Sequence, residues 1–252
     1  MLSYLFSMLI YDPLYNGLIY LVDVVPAHDM GLAVVILTVA VKVILFPLSR
    51  QAIRTQAAMR TIAPEIEEIK KHLKDKQEEQ ARAIFALYKE RGVRPFSSFL
   101  LILIQLPILI GLYWVFWKGG LPNVDLSLLY SFVSSPDTVN MEFMGFIDMG
   151  ERSIILALLT ALTQYLYTRL SMGPRQPRPA ETSPSFSGDM ARSLDLQMRY
   201  VLPLFIGGIA LTLASAVSLY WTASNLFMIL QELAMGRRFR EGAKTAEAPK
   251  NA

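Results

Sequence analysis

The sequence predicts an all-α membrane protein, and three observations support this fold class. The 252 residues are 53% hydrophobic, and their mean hydropathy is positive, at +0.38. The hydrophobic residues are concentrated in long blocks separated by charged segments, as in chains that cross a bilayer as helices. The chain has no cysteine, which excludes disulfides, thiolate metal sites and cysteine nucleophiles.

Residues 1–30 precede the first long apolar block and are predicted to form a helix on the outer membrane surface. They contain short apolar runs with several tyrosines, and Pro13 and Pro26 bracket a stretch of helical length. This pattern is typical of an amphipathic interfacial helix. Residues 1–9 lack the positive n-region and the cleavage site of a signal peptide, so we expect them to be retained.

Four apolar blocks predict five transmembrane helices. The last block, residues 200–235, is about twice as long as one span requires, so we divide it by a tight turn near residues 214–217. A four-span interpretation would place the basic C-terminal tail outside, which favours the division. The predicted spans are 31–48, 96–117, 153–170, 200–215 and 217–235.

The distribution of charge predicts the orientation. Residues 49–95 carry eleven Lys and Arg, and the segments 171–199 and 236–252 are also basic. Residues 1–30 and 118–152 are acidic. Basic and acidic segments alternate across the five spans, as the positive-inside rule requires. We therefore expect a multi-pass membrane protein with its N-terminus outside and its C-terminus inside.

Residues 49–95 predict a cytoplasmic antiparallel helical hairpin. They are rich in strong helix formers, and their apolar residues recur at steps of three and four. Lys74, Asp75 and Lys76 form the predicted turn. Residues 171–199 are predicted as a cytoplasmic loop and 236–252 as a basic cytoplasmic tail. The apolar stripes of the two arms are Ile62, Ile66, Ile69 and Leu73, and Ala81, Ile84, Phe85 and Tyr88.

Lys42 lies within the first apolar block and is the main candidate functional residue. An ammonium at membrane depth costs roughly 2.5–3.5 kcal/mol, and residues 96–117, 153–170 and 200–231 contain no Asp or Glu to pair with it. One alternative is that Lys42 snorkels to the inner surface. The Cα–Cβ bond, however, tilts toward the helix N-terminus and away from that surface. A water-filled cavity is therefore the favoured environment.

Other polar residues within the spans are predicted to line a groove together with Lys42. Thr and Ser in membrane helices usually bond to their own backbone, and this alternative stays open for each of them. Gln105 and Asn225 need partners, because an unpaired amide in hydrocarbon is costly. The predicted groove residues are Lys42, Thr38, Gln105, Thr160, Thr163, Gln164, Ser218, Thr222 and Asn225.

Catalytic motifs are absent from the sequence. The two histidines, His28 and His72, lie outside the predicted spans. There is no HExxH motif, no phosphate-binding glycine loop and no carboxylate pair at membrane depth. We therefore expect no enzyme activity, no catalytic residues, no cofactor and no bound metal.

Five segments, taken together and in order, resemble the YidC-type membrane protein insertases and their mitochondrial and chloroplast relatives. The resemblance runs from residue 14 to residue 231. It implies five spans around a hydrophilic groove that opens to the cytoplasm and to lipid. The segments are AVKVILFPL (40–48), QAAMRTIAPEIEEIKKHL (56–73), ALYKERGVRPF (86–96), ILIQLPILIGLYWVFW (102–117) and SLYWTASNLFMILQE (218–232).

The resemblance also implies a function, in which nascent membrane proteins enter the groove and release their apolar segments into the lipid. Lys42 stands where the family carries a positive charge, usually arginine, which attracts acidic groups near the N-terminus of the client. Lysine keeps the charge but lacks the planar fork of arginine. The implied partners are nascent membrane proteins and lipid, with the Sec translocon and the ribosome as further candidates and no other nucleic acid.

One departure from the family pattern and two alternative functions bear on this interpretation. Phe99 and Leu101 replace a small residue and a proline that are usual at the entrance of the second span. A lone intramembrane cation would also suit an anion-binding transporter or channel, although the sequence shows no internal repeat. A membrane scaffold that tethers partners through its basic hairpin is the other alternative, but it would not require Lys42.

Overall fold

The computed structural model describes residues 2–73, 76–93, 97–172 and 193–236. As predicted, the chain is mostly helical. It divides into two compact units: Met1–Val43 with Gln105–Ile229, and Ile44–Ile104 with Leu230–Ala252. The helices are α1 (Leu2–Phe6), α2 (Asp12–Val24), α3 (Met30–Ile44), α4 (Phe46–Thr61), α5 (Ala63–His72), α6 (Gln77–Glu90), α7 (Ser97–Lys118), α8 (Ile154–Met172), α9 (Leu202–Ala210) and α10 (Ser215–Gln231).

The N-terminal helix of the first unit covers most of the predicted surface segment. A π-helical turn at Ser7–Tyr11 joins α1 to α2, and Pro13 lies in the first turn of α2, where proline is tolerated. Ser3–Val24 is long and apolar enough to cross a membrane. Its position on the outer surface therefore stays a prediction.

The first predicted span, 31–48, is broken rather than continuous. Helix α3 ends at Ile44, and α4 begins at Phe46 with Pro47 in its first turn. Proline has no N–H to donate and its ring clashes with the preceding turn, so it starts a helix more readily than it continues one. Lys42 consequently lies in the last turn of α3.

The last apolar block forms two helices, but their boundary differs from the prediction. The break lies at residues 211–214, and Ser215 already belongs to α10. The backbone N–H of Ser215 donates to the carbonyl of Glu151 at 2.7 Å, and that of Ala216 donates to the carbonyl of Met149 at 3.1 Å. These bonds satisfy N–H groups that a helix start leaves unpaired. Tertiary contacts therefore determine where α10 begins.

Residues 119–153 connect α7 to α8 and are called the 119–153 loop. It contains two short antiparallel strands, β1 (Glu142–Phe143) and β2 (Ile147–Asp148), which the all-α prediction did not include. The Tyr15 hydroxyl donates to the carbonyl of Gly119 at 3.0 Å and accepts from the N–H of Asp125 at 2.8 Å. The Asn16 side chain bonds to the backbone of Leu128 and Tyr130. These contacts fasten the loop to α2.

The second unit contains α4, α5 and α6. Helices α5 and α6 run antiparallel, and Glu65 near the start of α5 pairs with Arg91 at the end of α6 at 2.9 Å. Their buried core comprises Ile62, Leu87 and Val93. Phe85 was predicted in the apolar stripe of α6 but is 60% exposed. Phe85 and the buried Leu87 are two residues apart, which is about 200° around a helix, so Phe85 faces away from the side on which Leu87 is buried.

Fewer than five of the described helices are long and apolar enough to cross a membrane. By length and composition, Ser3–Val24 and Ile154–Met172 qualify, and the consecutive helices α3 and α4 add a third span if they are counted as one. Leu103–Lys118 is a shorter apolar helix. The five-span topology stays a prediction. The predicted turn residues Lys74 and Asp75, most of the loop 171–199 and nearly all of the tail 236–252 lie outside the described residues.

Candidate functional site: buried polar clusters around Lys42

Lys42 is buried in the first unit, with only 7% of the residue exposed. Its Nζ donates to Oε1 of Gln105 at 3.0 Å. Across residues 2–73, 76–93, 97–172 and 193–236, no carboxylate lies within salt-bridge distance of this ammonium. A neutral amide satisfies one donor but does not cancel the charge. Lys42 therefore keeps its attraction for an anion that comes close.

Gln105 connects Lys42 to Tyr220. The Nε2 of Gln105 donates to the hydroxyl of Tyr220 at 2.6 Å, and Tyr220 is 1% exposed. The amide therefore presents its nitrogen to Tyr220 and its oxygen to Lys42. Three helices, α3, α7 and α10, each contribute one side chain to this network, which we call the Lys42 cluster.

Tyr220 was not among the predicted groove residues. The signal that would have found it is a tyrosine near the start of the predicted span 217–235, because a buried tyrosine hydroxyl usually finds a partner. Gln105 supplies that partner here.

A second cluster joins α8 to α10. The Oγ1 of Thr160 lies 3.0 Å from the carbonyl of Ser218 and 3.0 Å from the hydroxyl of Thr222. It is also 2.8 Å from the carbonyl of Leu156, one turn earlier on its own helix. A hydroxyl has a single proton, so Thr160 donates to one of the two carbonyls. Thr160 therefore lies within hydrogen-bond distance both of a carbonyl of its own helix and of groups on α10.

Thr163, Asn225 and Gln164 extend the polar contacts of α8. The Nδ2 of Asn225 donates to Oγ1 of Thr163 at 3.3 Å, and Thr163 is also 2.8 Å from the carbonyl of Leu159. The Nε2 of Gln164 donates to Oγ1 of Thr168 at 3.3 Å on the same helix. Asn225 thus has the interhelical partner that the sequence predicted it would need.

Thr38 does not take part in the Lys42 cluster. Its hydroxyl donates to the carbonyl of Val34 at 2.7 Å, and the residue is fully buried. This is the usual role of a threonine within a membrane helix. These hydrogen bonds form one group around Lys42 and another around Thr160, and Thr38 belongs to neither. A continuous groove through both groups stays a prediction.

Comparison with known proteins identifies the family. The chain matches the family described as "60Kd inner membrane protein" over residues 21–242. This chain belongs to that family. The matched region contains every residue of the Lys42 cluster and of the Thr160 contacts.

Relatives of this family member are named "Membrane protein insertase YidC". The protein from Oceanobacillus iheyensis is 29% identical over 212 residues, which cover 82% of this chain and 74% of the relative. The protein from Acidiphilium cryptum is 29% identical over 229 residues, covering 87% of this chain and 35% of the relative. The protein from Francisella tularensis subsp. novicida is 29% identical over 212 residues, covering 84% and 33%. The chain therefore spans about a third of the length of these last two relatives.

Proposed function

We propose that this chain is a membrane protein insertase, which receives nascent membrane proteins in a polar groove and releases their apolar segments into the lipid. Membership of the 60Kd inner membrane protein family and the names of its relatives support the activity. The observation that carries the mechanism is the buried ammonium of Lys42, which is bonded to the neutral Gln105.

The proposed topology has five spans in the bacterial inner membrane. The N-terminus and the 119–153 loop lie outside, and the α5–α6 pair, the loop 171–199 and the basic tail lie in the cytoplasm. The alternation of basic and acidic segments supports this arrangement. The proposed spans overlap the apolar helices α3, α7, α8, α9 and α10. The Sec translocon and the ribosome are proposed as further partners on the basis of the family resemblance.

Lys42 acts in this mechanism as an attractive charge for acidic groups of the client. Two opposite charges about 4 Å apart attract each other by about 1 kcal/mol at the dielectric constant of water and by about 4 kcal/mol at that of a protein surface. The client's polar N-terminal part enters first, held by Lys42 and by the polar groups around Thr160. Its apolar segment then moves into lipid because transfer of apolar surface from water is favourable, at about 0.8 kcal/mol per CH₂ group.

No covalent step is required for this sequence of events. Lys42 neither gains nor loses a bond to the client, and the direction of transfer comes from the partition of apolar segments into lipid. The proposed activity is therefore not enzymatic.

The test uses the purified full chain in liposomes and two clients that differ only in the presence of Asp near the N-terminus. Wild-type protein should insert both clients above the level of protein-free liposomes and should favour the acidic client by about tenfold, the equivalent of 1.4 kcal/mol. Lys42→Arg should keep this preference and Lys42→Glu should lose it. Lys118→Glu, at the exposed end of α7, is the matched charge control and should keep it.

Two outcomes would contradict the proposal at different levels. Insertion no better than in protein-free liposomes, by folded wild-type protein, would reject the insertase activity. A retained preference for the acidic client in folded Lys42→Glu would reject the role of the charge and leave the activity itself intact.

A further inference from the structure

The turn between β1 and β2 carries two exposed apolar side chains. Phe146 is 89% exposed, more than any other large hydrophobic residue in the described part of the chain, and Met144 is 70% exposed. A single exposed hydrophobic residue is common in proteins. Here the two flank Gly145 in a tight turn, where Met144 and Gly145 both have positive φ. The turn therefore presents both side chains at its tip.

The position of this tip is fixed by contacts of its backbone and base. The N–H of Met144 donates to Oδ2 of Asp29 at 2.8 Å. The side chain of Phe143 packs so closely on Gly31 that a Cβ at position 31 would overlap its ring. The N–H of Met30 donates to the carbonyl of Asn140 at 2.9 Å. The exposure of the tip thus does not result from a loosely held loop.

These contacts place the tip beside the ends of apolar helices. Asp29 immediately precedes α3, and its Oδ1 accepts from the N–H of Leu32 in the first turn. The chain following the strands supplies the carbonyl that binds the N–H of Ala216 in α10, and it then enters α8 at Ile154. Ile154 is itself 69% exposed. The tip therefore lies where three apolar helices begin, which is the level of the bilayer surface if these helices span the membrane.

The charges around the tip define the kind of surface that it fits. Glu142 and Asp148 form the base of the strand pair and are exposed. Two carboxylates beside the tip do not favour anionic headgroups. Phe and Met side chains suit the apolar boundary just below the headgroups, where apolar side chains of interfacial segments reach about 5–10 Å deep.

We propose that the turn of Met144, Gly145 and Phe146 inserts into the bilayer interface and anchors the 119–153 loop to the lipid surface. The partner is the acyl boundary of a lipid monolayer, recognised by apolar contact and not by headgroup charge. This inference rests on the membrane location in the proposed function, but not on the insertase activity.

The absence of native cysteine allows a direct test with single-cysteine variants of the full chain. Phe146→Cys carrying an environment-sensitive fluorophore is reconstituted in phosphatidylcholine vesicles that contain nitroxide-labelled lipids. Glu142→Cys, on the same strand pair, is the matched control. The label at position 146 should show blue-shifted emission and be quenched by shallow nitroxide lipids, and the label at 142 should be quenched by aqueous iodide. Equal iodide quenching at both positions would overturn the proposal.

A second variant tests whether Phe146 holds the tip in lipid. In a protein labelled at Met144→Cys, the added change Phe146→Asp should abolish lipid quenching without lowering the unfolding temperature, because the side chain is exposed in the protein. Unchanged lipid quenching would also reject the anchoring role. The same vesicles report client insertion. If the protein inserts clients while its position 146 is exposed to water, only this inference is rejected. If position 146 lies in lipid and no client is inserted, only the proposed function is rejected.

Discussion

The side-chain nitrogen of Gln105 donates to the hydroxyl of Tyr220 at 2.6 Å, and this contact determines which end of the Gln105 amide faces Lys42. With its nitrogen engaged, Gln105 offers its oxygen to the ammonium. The result is an oriented buried cation whose charge is not neutralised.

Replacement of Gln105 by Glu should neutralise the site. The carboxylate would pair with Lys42, so the preference for an acidic client should fall toward the level of Lys42→Glu while the protein stays folded. Client insertion into proteoliposomes is the measurement. Gln77→Glu, at the exposed start of α6, is the control, because it adds the same charge away from the Lys42 cluster and the Thr160 contacts. A preference for the acidic client that survives in folded Gln105→Glu, as it should in the control, would contradict the role of the cluster.

Lys42→Met should not destabilise the protein. Burial of an ammonium beside a neutral partner has a desolvation cost of several kcal/mol that methionine removes at similar volume, and loss of the charged hydrogen bond to Gln105 offsets this by about 1.5–3 kcal/mol. We expect an unfolding temperature in detergent equal to or above that of the wild type. Lys118→Met, at an exposed position, is the control. A marked fall in the unfolding temperature of Lys42→Met alone would show that Lys42 supports the fold.

Gly207→Ala should destabilise the contact between α8 and α9. A Cβ at Gly207 would lie 2.7 Å from the Cβ of Ala161, whereas a Cβ at Gly208 would have no neighbour within 4 Å. Overpacking of this kind typically costs about 1–3 kcal/mol. Gly208→Ala, with the same change in helix propensity, should be neutral or stabilising. Thermal unfolding of the two variants in one detergent gives the comparison. Equal unfolding temperatures for the two variants would mean that α8 and α9 accommodate the added methyl group at Gly207 without loss of stability.

The proposed orientation predicts opposite labelling of two introduced cysteines. Ser134→Cys lies in the 119–153 loop and Lys71→Cys at the end of α5, and both positions are exposed. A membrane-impermeant thiol reagent should label only one of the two cysteines in intact cells. In sealed inner-membrane vesicles it should label only the other. Labelling of both cysteines from the same side would exclude the five-span topology.

Local chemistry explains which parts of the site could be predicted from the sequence. Lys42 and Gln105 are recognisable because a charge and an amide within apolar blocks need partners. Pro47 is a local signal for the end or start of a helix, and the structure breaks the predicted span 31–48 at Leu45. The partner of a single residue was harder to predict, because the Gln105–Tyr220 contact depends on the rotation of two helices that are distant in sequence.

Two other features depended on tertiary contacts that leave no local signal. The start of α10 at Ser215 follows from bonds to Glu151 and Met149 in the 119–153 loop, and no Pro or Asn-Gly marks the preceding break. In α6, the three- and four-residue steps admitted Phe85 and omitted Leu87. The rotation of α6 against α5 makes Leu87 the buried residue.

The bonds of Tyr15 and Asn16 bear on how well the protein preserves the membrane's ion gradients. Both residues are almost fully buried, and their side chains hold the 119–153 loop through backbone groups of Gly119, Asp125, Leu128 and Tyr130. Displacement of the loop would break these four hydrogen bonds, each with a net contribution of about 0.5–1.5 kcal/mol. We therefore expect the loop to stay seated on α2 while clients pass, so that insertion does not open this side of the first unit to ions.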